Sequence, residues 1–247
     1  MSVAPAPPPP LPLLLQRSAA TEKAEDVEER KFSSSTPQEE IDRLILHNRL
    51  CESKILFHHD LQPILQDGPQ CGLVALSMAS QCKDGSVSVE QLFQTARDCG
   101  FTRHGELFSV DFMETLSKKH LQRYHSEIVE NLKHDPNSLF QLLSCGILVL
   151  IPYDSDFNHA PCLKRGHKAH WAVLVGLISS RQGPYVLARH GKSKHVGCWP
   201  MRDLLESNAN LEEENPHRNK QGFIIPEGGV GGKRGLKSRA LALRTIE

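Results

Sequence analysis

The 247 residues are enough for one domain of ordinary size with tails, able to bury a core without disulfide staples. Lys+Arg and Asp+Glu both number 29, so with neutral histidines the net charge is zero and no global field points to nucleic acid or a membrane surface. The seven cysteines, at 51, 71, 82, 99, 145, 162 and 198, are odd in number and lack Cys-x-x-Cys spacing, which argues against a secreted disulfide framework and for reduced thiols.

The chain opens on a proline cluster, Pro5 to Pro12, followed by only three leucines and preceded by no basic residue. This is too interrupted for a signal peptide, and no stretch reaches the roughly eighteen apolar residues a bilayer requires. A cytoplasmic protein is expected. Residues 1–35 read as a disordered leader in which Ala4 to Pro12 favours the extended polyproline form that aromatic-lined grooves accept.

Order is expected from Thr36, where Thr36-Pro37-Gln38-Glu39 is a capping box ahead of Ile41, Leu44 and Ile45 at helical spacing. A short strand is predicted at Ile55–His58, and the segment from Leu65 to Gly72 then breaks regular structure. Val74, Ala75, Met78 and Ala79 mark a helix after Cys71. Three further helices are predicted: one opening at Ser88, one after Ser109, and one carrying Leu139, Leu142 and Leu143 up to Gly146. From Ile147 the texture turns to β-type runs at Ile147–Tyr153, His170–Ile178, Tyr185–His190 and Gly222–Ile225, with a helix at Pro200–Glu206. Residues 36–226 read as one domain, and 227–247 as a flexible basic tail. Helices followed by strands give an α+β class.

Gly68-Pro69 forces a turn just before Cys71, so the thiol is expected at a helix N-terminus, where the helix dipole and N–H groups favour thiolate. Gly72 is read as leaving room for a substrate carbonyl, and the Cys71 N–H as a contributor to an oxyanion site. His170 opens a strand-like run, a rigid mount for an imidazole whose pKa suits it to take and return the thiol proton. His190, closing the next β-run, is the candidate to orient that ring. Gln66 is nominated as an oxyanion donor, with Gln70 as its competitor. One rival uses overlapping residues: His159, Cys162, His167 and His170 form a cramped quartet that zinc could occupy, although the spacing matches no standard finger. No cofactor or metal is assigned.

Four blocks in order, Gln66 to Leu76, Ile151 to His159, Gly166 to Val173 and Gly191-Lys192-Ser193, closely resemble the actin maturation protease family over residues 40 to 230. The resemblance implies a papain-like cysteine peptidase that removes an N-acetylated methionine or cysteine from immature actin. It carries the family's nucleophile onto Cys71 and its histidine onto His170, and it implies a leader that binds profilin. Lys164, Arg165, Lys168 and Lys192, with Lys194 nearby, are cations that could attract the acidic N-terminus of such a substrate. The alternatives are a non-catalytic profilin- or actin-binding adaptor on the same fold, or another Cys-His hydrolase such as a deubiquitinase or amidase.

Overall fold

The structure, a computed structural model, describes residues 36–83, 85–217 and 222–246. The chain divides into two units between Arg43 and Leu44. The predicted leader, 1–35, lies outside the described residues. Helix α1 (Pro37–His47) starts at the expected capping box, in which the Glu39 N–H donates to Thr36 Oγ1 and the Thr36 N–H to Glu39 Oε2.

The second unit is built on one sheet whose strand pairings are all antiparallel among the described residues. Its strands are β1 (Lys54–His58), β2 (Tyr124–Glu130), β3 (Leu148–Ser155), β4 (Pro161–Cys162), β5 (Ala169–Ser180), β6 (Gly183–Arg189), β7 (Gly197–Pro200) and β8 (Arg239–Thr245). The main path runs β2-β8-β3-β5-β6-β7. Strand β5 is the hub: β3 pairs with its first half, β1 with its second, and β6 lies along the other edge. Gly176 sits where these strands crowd, and a Cβ there would stand 2.9 Å from the Phe57 carbonyl and 2.8 Å from Leu187 Cδ1.

Successive strand residues face opposite ways, and helices cover both faces. Val149 and Ile151 of β3 with Ala172 and Leu174 of β5 share a buried cluster with Leu139 and Leu143 of α5 (Pro136–Ser144) and Leu204 of α6 (Met201–Ala209). On the Trp171 side lies α2 (Cys71–Ser80), every residue of which beyond Cys71 is buried. Helices α3 (Val89–Asp98) and α4 (Val110–His120) pack beyond it, each opened by the expected serine, Ser88 in a full capping box and Ser109 accepting from the Phe112 N–H. The expected α+β class holds.

Two expectations fail. Gly222–Ile225 is not a strand: the Ile224 N–H goes to the Glu106 carboxylate rather than to a neighbouring strand. The tail from Glu227 is not loose either, because β8 lies inside the sheet between β2 and β3, with Ala240 to Leu243 buried. Arg239, one of five basic residues after Glu227, is itself consumed in ion pairs with Asp111 (2.7 Å) and Glu130 (3.1 Å). Strand β2 was not anticipated, since its alternation is carried by Tyr124 and Ser126 rather than by large aliphatic residues.

Candidate active site

Cys71 is the first residue of α2, directly after a turn in which Gly68 takes φ +61°. Gln70 makes no side-chain cap and the first turn contains no carboxylate, so nothing on the helix itself offsets the positive field at its start. Gly72 has a different role from the one expected. It is buried, and a Cβ there would meet Leu107 Cβ and Trp171 Cδ1 at 3.1 Å, so glycine serves helix packing rather than approach of a substrate.

His170 enters at the second residue of β5, 5% exposed, opposite Tyr153 of β3. A cavity of about 320 Å³ opens here, lined by Gln66, Cys71, Glu106, Phe108, His170 and Lys192 among others. A helix start and a strand start thus deliver the thiol and the imidazole to one space. Tyr153, wholly buried, packs its ring 5.8 Å from that of His170 and donates to the His159 carbonyl. Burial first, then the nearby Cys71, Asp156 and Cys162, raise its pKa well above the ordinary phenol value, so it stays protonated.

His190 lies one strand on, its ring 5.6 Å from that of His170, 5.4 Å from His159 and stacked on Trp199 at 5.9 Å. Burial, followed by His159 and Arg189, lowers its pKa to about 4, so the ring is neutral at physiological pH. The Lys192 N–H donates to Nδ1, which leaves the ring proton on Nε2.

The two glutamines separate clearly. Gln66 lines the cavity beside Cys71, anchored by its N–H to the Gly191 carbonyl and by Nε2 to the Gly68 carbonyl, whereas Gln70 lays its side chain against Gly105. Among the four nominated cations, Lys192 alone is in the cavity lining. Arg165 is turned to Glu212 (3.2 Å) and Glu213 (3.4 Å), and the backbone N–H groups of Lys164 and Lys168 point into the fold at Asp154. In the possible zinc quartet, His167 bonds Glu213 at 2.9 Å and Cys162 sits in β4. The described residues contain no group of three or more His, Cys, Asp or Glu side chains placed to share a metal ion.

Two carboxylates that shape the site were missed. Asp154 is fully buried and accepts from the N–H groups of Lys164 (2.9 Å), Gly166 (2.7 Å) and Lys168 (2.9 Å), fixing the loop that ends at His170. An acid inside the apolar run Leu148–Ser155 was the available signal. Glu106 lies in the cavity wall, and only its isolation between Gly105 and Leu107 hinted at it.

A family profile described as "Actin maturation protease-like, C-terminal domain" matches residues 61–178. The chain is 38% identical over 205 residues to the actin maturation protease of Drosophila melanogaster, covering 81% of this chain and 76% of that one. It is 36% identical to the mouse protein, covering 85% of this chain and 70% of its relative. A C39-like peptidase of Bacillus anthracis superposes with a TM-score of 0.53 at 12% identity, over 78% of this chain and 99% of the other, a likeness of fold.

Proposed function

The chain belongs to the actin maturation protease family and is a peptidase of papain-like fold, and from that premise we propose that it removes the N-acetylated first residue, methionine or cysteine, from immature actin. The observation that carries this reading is the shared cavity of Cys71, at the start of α2, and His170, at the start of β5. Cys71 transfers its proton to His170, and the thiolate attacks the carbonyl carbon of the first residue. The C–N bond breaks as His170 returns the proton to the departing amine, leaving a thioester and an actin with a new N-terminus. Water then attacks the thioester, His170 taking its proton and handing it to sulfur, so the N-acetylated amino acid leaves and the thiol is restored.

The uncapped start of α2 favours the thiolate. Gln66 donates to Gly68 through one Nε2 proton and has a second to offer the oxyanion. Neutral His190, its ring 5.6 Å from that of His170, holds the base in place by packing rather than by accepting its proton. Profilin, binding the proline-rich stretch Ala4 to Pro12, brings actin to the cleft in the cytoplasm. No helix among the described residues is long and apolar enough to cross a membrane.

Mass spectrometry of actin N-termini after incubation with wild type, Cys71→Ala and His170→Ala tests the assignment. Wild type removes the acetylated residue, and each variant is slower by at least about 10⁴-fold while its thermal midpoint holds. Turnover by Cys71→Ala near the wild-type rate would overturn it.

A further inference from the structure

Glu106 is 2% exposed, and what holds its carboxylate is backbone. Oε1 accepts from the N–H groups of Arg103 and Ile224, both at 2.9 Å, and Oε2 from that of His104 at 2.7 Å. Burial works to raise its pKa, but these N–H groups, with its own, prevail and hold the carboxyl below its ordinary value. A charged group is therefore spent joining two segments far apart in sequence.

Both segments wall the cavity. The first runs along the start of α2: Gly105 packs on Gln70, and Leu107 Cβ stands 3.1 Å from where a Gly72 Cβ would be. The second, 222–225, has no strand partner, and its Phe223 ring lies 5.9 Å from that of Phe108 and 6.0 Å from that of His104. Phe108 and Phe223 line the same space as Cys71 and His170, and Phe223 is only half-buried, an aromatic face left over for something else to cover.

We propose that Glu106 is a positioning residue that clamps 222–225 beside the cleft, and that the wall it sets, Phe108 and Phe223, receives the side chain of the residue to be released. The site then favours methionine over cysteine and over other small or charged first residues, because a flexible thioether or alkyl chain fits between two aromatic faces and gains sulfur–aromatic and dispersion contact. Cysteine keeps a sulfur contact with less buried area, and alanine or a charged first residue gains none of this. The inference rests on the peptidase reading above and adds to it the pocket that reads the acetylated residue.

The test uses N-acetylated peptides that differ only at the first position (Met, norleucine, Ala or Asp) and measures kcat/KM for wild type, Phe223→Ala, Phe223→Tyr and Glu106→Gln. Wild type prefers Met and norleucine. Phe223→Ala and Glu106→Gln lower the Met-to-Ala ratio about tenfold or more, within the range a hydrophobic pocket contributes, and Phe223→Tyr restores it. A purely structural role would lower all substrates together and leave the ratio alone. Should the buried Glu106→Gln substitution prevent folding, Phe223→Ala decides by itself. A ratio unchanged within about twofold in Phe223→Ala, with wild type active, overturns the pocket and leaves the peptidase reading standing. A wild type that cleaves none of the peptides overturns both.

Discussion

His190 packs its ring 5.6 Å from that of His170, and its own state is fixed by burial. Held neutral down to about pH 4 in the folded protein, but protonated from about 6.5 downward in an unfolded chain, it gives the unfolded state the extra proton across that window. The stability it contributes is therefore complete above about pH 6.5 and is lost as pH falls toward 4, at up to ~1.4 kcal/mol per pH unit. Glu106 and Asp111, whose folded pKa values are depressed, act lower, their contributions fading only once pH drops below the ordinary carboxylate values of 4.5 and 3.8. Thermal midpoints measured from pH 6.5 to 4 are expected to fall less steeply in His190→Gln than in wild type, and parallel slopes would contradict the burial argument. The placement of Cys71 at a helix start and of His170 at a strand start was legible because local rules mark it: a Gly-Pro turn before a helix and a histidine at the head of an apolar run. Asp154 and Glu106 were not, because each draws its partners from loops whose approach no local pattern encodes.

At the level of elements, the helices were legible through their caps, with Thr36, Ser88 and Ser109 each doing at the helix start what a capping side chain does. Strand β8 was not, because Arg-Ala-Leu-Ala-Leu-Arg-Thr pairs modest β-propensity with basic ends, and only burial between β2 and β3 makes it a strand. The same override ran the other way at Gly222–Ile225, where β-favouring residues found no strand to pair with. Removing residues 239–246 strips β3 and β2 of a shared neighbour, and the truncated protein is expected to lose its cooperative unfolding transition. The milder Arg239→Ala removes one guanidinium from two carboxylates that are partly solvated, so a loss of roughly 2 kcal/mol in denaturant titration is the expected outcome. Stability equal to wild type in both would show that β8 is dispensable.

Over the whole molecule, equal numbers of cations and anions leave any attraction for an acidic substrate to local placement. Of the cations singled out in the sequence, Lys192 faces the cavity while Arg165 is engaged by Glu212 and Glu213. Lys192→Ala is expected to lower kcat/KM on acidic peptides several-fold at low salt and to converge on wild type as salt rises, with a smaller effect from Arg165→Ala. A Lys192→Ala deficit that ignores salt would assign the residue a different role. The position of β8 also sets an order of events during synthesis. Cys71 and His170 leave the ribosome well before residues 239–245, yet the sheet that mounts the imidazole has a gap beside β3 until that strand arrives. A nascent chain therefore carries Cys71 and His170 on an incomplete sheet, and on the proposed reading peptidase activity is expected only once the eighth strand has paired.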